Sequence, residues 1–287
     1  MSQFITEAFV QQFADNFIHV AQQKTSRLES CVSVETGIKG MSKSINRLGQ
    51  RTAQRRTVRH ADTPINDQPH STRYVDLFDW EDGDMLDDQD KIRMLTDPQS
   101  EYVQAMVASL NRAKDDVIIS ALGVDSRSST GNIILPASQK ISVGGTGLTK
   151  TKLFQARKLF RQNECDDEAG EELFMLYHSQ ALNDILADTQ LTSADWTAVQ
   201  MLQNGTLSGK WMGFNWIPME RTPKSGTTRY TYAFAKSGMK LGVGEDIMTR
   251  IGEDPGKGFN VRIYAKMSVG AVRIEEEKVV EIACLDP

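Results

Sequence analysis

The chain has 287 residues, 39% of them hydrophobic and 25% charged, ordinary values for a globular protein of one large or two modest domains. Its net charge of −5 argues against a general nucleic-acid binder, and no 18-residue apolar run is present, so no membrane-spanning helix is expected. Cys31, Cys165 and Cys284 are odd in number and too widely spaced for a disulfide framework or a zinc site.

In chain order, residues 3–23 predict an amphipathic helix. Phe4, Ile5, Ala8, Phe9, Phe13, Phe17, Val20 and Ala21 recur every three or four residues, and that face must dock on its own core or on a neighbouring subunit. A basic segment follows, with Lys39, Lys43, Arg47, Arg51, Arg55 and Arg59 every four residues and no acid between Glu35 and Asp62. As a helix it would carry one basic stripe; as an extended arm it would be basic throughout. The sign then reverses: residues 76–90 hold Asp76, Asp79, Glu81, Asp82, Asp84, Asp87, Asp88 and Asp90 with no Lys or Arg. Relative to Gly83, the first calcium-ligand places of an EF-hand loop hold Phe78, Trp80 and Asp82, so the motif fails and a solvated acidic loop is expected. Oppositely charged runs in one chain suggest subunits that pair head to tail.

Asp97 and Pro98 open the strongest predicted helix, which Gly123 is expected to close as a C-cap. Tyr102, Val103, Met106, Val107, Leu110, Ala113, Val117, Ile118 and Ala121 mark its buried face. Residues 124–148 are Ser/Gly-rich and end in GGTGLTKT (144–151), which has half of a phosphate-binding loop. That loop needs glycine directly before its lysine; here the β-branched Thr149 precedes Lys150 and resists the positive φ required. A flexible Gly-rich connector leading into a helix capped by Thr149 is the simpler reading. LFMLYH (173–178) predicts a strand, Ser179 caps a short helix to about Asp188, and another helix spans about 193–202. From Asn204-Gly205 onward the segments KWMGFNWIPM, TTRYTYAFA, GMKLGV, DIMTRI, FNVRIYAKMSVGAVRI and KVVEIACL read as β.

Sites of chemistry do not emerge. His19, His60, His70 and His178 lie at no metal-ligand spacing, and His178, ending a strand, reads as structural. Trp196, Trp211 and Trp216 read as core or interface. No catalytic residue, cofactor site or metal site is assigned, and an enzyme is not expected.

The order of parts carries a resemblance. It runs apolar arm, charged extended segment, long capped helix, Gly-rich link, mixed α/β region and closing strands. The run SADWTAVQMLQNGTLSGKWMGFNWIPMERTP (193–223), the stretch AFAKSGMKLGV (233–243) and the ending YAKMSVGAVRIEEEKVVEI (264–282) resemble the major capsid proteins of tailed double-stranded DNA phages. The resemblance implies an α+β, Hong Kong 97-like capsid fold. Residues 1–50 would be an N-terminal arm, 51–92 an extended E-loop, and 93–148 a peripheral domain with a spine helix over 98–122. Residues 149–257 would be an axial domain, and 258–287 strands returning to the peripheral domain. It further implies a homo-oligomer of pentamers and hexamers forming an icosahedral shell around packaged DNA, in the virion, assembled in the host cytoplasm. A separate scaffolding protein, a portal and a decoration protein are the partners it suggests. Candidate inter-subunit contacts are Phe9, Phe13 and Phe17 on the arm, the basic Arg47, Arg51, Arg55 and Arg59, and the acidic Asp79, Asp82, Asp84, Asp87 and Asp88. The alternative is a nucleic-acid-binding protein acting through the basic segment 39–59.

Overall fold

The computed structural model describes residues 22–59, 62–63, 65–86, 99–187, 207 and 209–287. The predicted helix over 3–23, apart from its last two residues, and that over 193–202, with Trp196, lie outside these residues, as do Asp97 and Pro98. The chain divides into two compact units. The first comprises 1–26, 79–115 and 245–268; the second comprises 27–78, 116–244 and 269–287.

The second unit holds a seven-stranded mixed sheet. Its order is β7 (Lys140–Ile141), β15 (Val279–Leu285), β12 (Thr228–Ala235), β8 (Leu173–Tyr177), β10 (Phe214–Pro218) and β9 (Lys210–Trp211), with β11 (Lys224–Ser225) on β12. All five residues of β8 are buried, as expected for a strand covered on both faces. Helix α2 (Lys150–Gln162) and helix α3 (Ser179–Ala187) pack on this sheet through Leu153, Ala156, Phe160, Ala181 and Ile185. The predicted run KWMGFNWIPM is two strands, because Met212 and Gly213 both take positive φ and turn the chain back. Trp211 and Trp216 lie in this core with ring centroids 5.4 Å apart, and the Trp216 indole donates to the Trp211 carbonyl at 3.0 Å.

A second sheet runs β2 (Ser42–Leu48), β3 (His70–Asp76), β5 (Ser126–Ser128), β6 (Gly131–Ile133). A third runs β1 (Ser33–Thr36), β13 (Met239–Asp254), β14 (Asn260–Arg273), β4 (Phe78–Leu86). GMKLGV and DIMTRI, read as separate segments, form the single strand β13. The acidic run expected as a solvated loop is solvated but is the strand β4, with most of its residues exposed. Hydrogen bonding along the backbone selects the extended form there, and exposure on both faces removes the apolar alternation that sequence reading depends on.

Helix α1 (Gln99–Gly123) is 25 residues long, about 37 Å at 1.5 Å per residue. Met106, Leu110 and Ile118 are buried as expected, but so are Ala108, Ile119 and Leu122 outside the predicted stripe. Within the first unit the same helix buries Lys114, whose ammonium lies 3.2 Å from Asp246, and Asp115, which accepts from Ser26 Oγ at 2.6 Å and from Gln23. Gly123 does not act as the left-handed cap. Its role is spatial, since a Cβ there would meet the Tyr232 hydroxyl at 2.5 Å. The carbonyls at the helix end are satisfied by Arg273 instead. Its Nη1 donates to Leu122 O at 2.9 Å and Val124 O at 3.0 Å, and its Nη2 donates to Ile133 O at 3.0 Å. A cation at a helix C-terminus also opposes the negative end of the helix dipole.

Arg273 is fully buried, so replacing it strands three carbonyls away from water. Arg273→Met should destabilise the protein by about 3 kcal/mol, read as a lower urea midpoint with an unchanged slope.

Candidate assembly surfaces

The basic segment falls on β2 and the loop 49–69 that joins it to β3. β2 and β3 pair antiparallel from Ser42↔Asp76 to Leu48↔His70. The loop base is closed by Gly49 N donating to Pro69 O at 2.8 Å and by Gln68 Nε2 donating to Gly49 O at 2.6 Å. Asn66 braces its middle, donating to Thr52 O at 3.0 Å and accepting at its carbonyl from Arg51 at 3.1 Å. The loop therefore has an internal ladder although its described residues form no helix or strand.

The predicted contact residues separate into three groups. Phe9, Phe13, Phe17, Asp87 and Asp88 lie outside the described residues. Arg47 faces inward along its own chain, with Glu275, Glu276 and Glu277 at 3.4, 3.5 and 3.7 Å. Arg51 is held by Asn66, whereas Arg55 and Arg59 are exposed and form no ion pair among the described residues. On β4, Asp79 is exposed and Asp82 half-buried, neither with an ion pair among the described residues, and Asp84 accepts from the amide of Met85 at 2.8 Å. Phe78 and Val58 are each about three-fifths exposed, so apolar area accompanies charge on both segments.

Sequence reading missed the charges that hold the interior. Arg73, buried on β3, donates to both oxygens of buried Glu276 at 2.9 and 3.1 Å. Lys152, in the first turn of α2, is 5% exposed, and its ammonium lies within hydrogen-bond distance of four carbonyls: Val143 at 2.9 Å, Thr146 at 2.8 Å, Gly147 at 2.9 Å and Ala283 at 2.8 Å. Burial draws its pKa below the ordinary lysine value, with Cys284 and Asp184 acting in the opposite sense. Gly144 and Gly145, at φ +54° and +67°, fold the link back so that its oxygens face this ammonium. A phosphate loop does the reverse and presents N–H groups. The connector expected to be flexible is thus tied to β15 and, through Leu148 N donating to Asp184 at 3.1 Å, to α3. The one signal in the sequence is a lysine set on the apolar face of a helix. Lys150 lies over the Phe154 ring, 5.5 Å from its centroid.

Thr149 is the N-cap of α2 by backbone geometry, but its side chain makes no capping bond. His178 is 1% exposed, and neither ring nitrogen has a hydrogen-bond partner among the described residues. Burial first, and Arg229 second, hold its pKa below the ordinary value, against the pull of Asp286, Glu220 and Asp184. It is a buried imidazole. Among the described residues, no group of three or more His, Cys, Asp or Glu side chains is arranged to hold a metal ion.

This architecture is that of a shell subunit. The capsid of cyanophage P-SCSP1u superposes with a TM-score of 0.75 at 15% identity, covering 99% of this chain and 95% of that chain. The capsid of cyanophage Pam1 gives 0.71 at 13%, covering 96% of each chain. That of Ralstonia phage GP4 gives 0.71 at 11%, covering 97% of this chain and 96% of that chain. The fold is the α+β, Hong Kong 97-like capsid fold. A family model described as phage capsid protein matches residues 5–286, and the chain belongs to that family. No curated protein matches it by sequence.

Two outcomes follow from these buried charges. Lys152→Ala should lower the urea midpoint, corresponding to about 3 kcal/mol, and ammonium or potassium salts should recover part of the loss while tetramethylammonium does not. The folded His178 pKa lies below its unfolded value of about 6.5, so the unfolded chain takes up the proton first as pH falls. Stability should therefore drop below about pH 6.5, by at most about 1.4 kcal/mol per pH unit from this group. His178→Gln should flatten that part of the urea-midpoint profile.

Proposed function

We propose that this phage capsid protein builds an icosahedral shell from pentamers and hexamers around double-stranded DNA, working as a structural subunit without catalysis. The observation that carries the assembly mode is the contrast between its charges. Interior cations are held by several partners, while Arg55 and Arg59 on one exposed segment and Asp79 and Asp82 on another form no ion pair among the described residues. Opposite charges without ion pairs on two segments suit a contact between different copies, which is heterologous and closes into rings. In this reading residues 51–92 reach a neighbouring subunit as an E-loop, and residues 1–50 form an arm whose Phe9, Phe13 and Phe17 supply apolar contact. The helix α1 braces a peripheral domain, and the strands β8 to β12 within 149–257 belong to an axial domain. A scaffolding protein, a portal and a decoration protein complete the particle, which assembles in the host cytoplasm.

Electron microscopy with light scattering on the full chain tests this. Closed shells, or rings of five and six subunits, are expected, with scaffold added where the chain alone stays dispersed. Persistent monomer in both conditions would overturn the reading. The double reversal Arg55→Glu with Arg59→Glu should raise the concentration needed for assembly about fivefold, taking two exposed pairs at about 0.5 kcal/mol each. Adding Asp79→Lys and Asp82→Lys should restore it. Raising salt from about 0.05 M to about 0.5 M should weaken wild-type assembly and leave the quadruple variant equally salt-sensitive.

A further inference from the structure

Buried donors without partners gather at one place in the second unit. Arg73 is 2% exposed and directs its Nη2 to Glu276, yet its Nε and Nη1 have no hydrogen-bond partner among the described residues. Arg273 uses Nη1 and Nη2 on three carbonyls, and its Nε is left 3.9 Å from Glu276, beyond hydrogen-bond reach. Ser126 is 3% exposed, and its hydroxyl is also without a partner among the described residues. The strand register brings the three together. Arg73 stands opposite Ser128 across β3 and β5, and Ser126 lies on the same buried side of β5, with exposed Arg127 between. Ser126 pairs in turn with Ile133, whose carbonyl accepts from Arg273. Burial holds the Arg273 pKa below the ordinary arginine value and the charge of Arg73 lowers it further, against Glu276, Asp125 and Glu281.

Charge in this cluster is not balanced. Among the described residues its dry part holds two guanidiniums, Arg73 and Arg273, and one carboxylate, Glu276. The acids around it are engaged or solvated. Glu275 and Glu277 share Arg47, which also reaches Glu276, and Glu275 meets Lys278 at 3.2 Å. Asp125 is exposed, and Glu281 lies 3.8 Å from Lys140. One net positive charge therefore stays away from water, which is costly unless it is compensated. A guanidinium donates and cannot accept. A water molecule among such donors would need acceptors for its own two hydrogens, and Glu276 is already taken by Arg73. A species that only accepts and carries negative charge answers both the unpartnered donors and the excess. Donors that converge from three strands with no access to solvent suit a monatomic ion, whereas a tetrahedral oxyanion would need room and donors for four oxygens.

We propose that the protein binds one halide ion, chloride in a cell, among the free donors of Arg73 on β3, Arg273 on β14 and Ser126 on β5. Nε and Nη1 of Arg73 lie on different edges of its guanidinium, so the ion takes one of them, together with Arg273 Nε and the Ser126 hydroxyl. It completes the cluster where these strands meet the end of α1, and it couples the stability of this unit to the anion in solution. The inference does not depend on the shell reading.

Urea unfolding of the full chain, below the concentration at which it assembles, tests this with sodium chloride exchanged for sodium methanesulfonate at constant ionic strength. Above the dissociation constant, each tenfold rise in chloride should raise the folding equilibrium constant about tenfold, equivalent to about 1.4 kcal/mol. Bromide should substitute for chloride. Ser126→Ala removes one donor and keeps the ion pair of Arg73 with Glu276, and it should move the chloride dependence to about tenfold higher concentration. Glu276→Gln removes the internal carboxylate and leaves both guanidiniums, so its chloride dependence should begin at about tenfold lower concentration. A purely structural role for Glu276 would instead lower the midpoint equally in both salts. Equal wild-type midpoints in chloride and methanesulfonate would overturn the site. So would a chloride effect that neither substitution moves, because the ion would then bind elsewhere.

Discussion

The second unit depends on where its buried charges meet. Arg273, at the end of β14, satisfies the last carbonyls of α1 and a carbonyl of β6, while Glu276, three residues on, receives the guanidinium of Arg73 from β3. Four elements distant in sequence arrive at one cluster from which water is excluded. A buried cation without partners is costly, so a partly formed cluster is worse than none. The elements are therefore compelled to dock together. The gain lies less in net stability, since a well-packed apolar substitute is often equally stable, than in a single arrangement. Lys152 applies the same rule to the link before α2. Its four carbonyl acceptors come from three places in that link and one in β15, and none can be solvated in place once the link has closed.

These two locks also show what sequence could and could not display. The apolar spacing of α2, the continuous run of β8 and the turn residues between the later strands were legible, because local periodicity and chain reversal leave local marks. The family resemblance rested on the order of those marks, and the family model matches residues 5–286. The strand β4 was not legible. Its side chains are exposed on both faces, so acids stand wherever solvation allows, and the pairing that makes it a strand lies on β14. Gly123 was read as a terminator for a local reason, when its cause is the Tyr232 hydroxyl more than a hundred positions away.

The candidate contact residues show the same division. Spacing made Arg47, Arg51, Arg55 and Arg59 look equivalent, yet the fold gives them different surroundings. Arg47 is committed to the glutamates before β15 and Arg51 to Asn66, leaving Arg55 and Arg59 to face solvent. A four-residue period in a basic run says nothing about which members a later part of the chain will neutralise.

The separation of charge between interior and surface has a consequence for assembly. Exposed ion pairs are worth about 0.5 kcal/mol and are weakened by salt, whereas buried ones resist both solvent and screening. A subunit whose fold relied on the weak kind would soften whenever its contacts were reshuffled. One whose contacts relied on the buried kind could not release a wrongly placed neighbour. Here Arg73, Arg273 and Lys152 anchor the fold through buried contacts that salt screens little, and the charges of the loop 49–69 and of β4 remain outside that arrangement. Each contact can then be weak and reversible while the closed shell, summing many of them, is not. Error correction during assembly needs that inequality, and the distribution of charge in this chain supplies it.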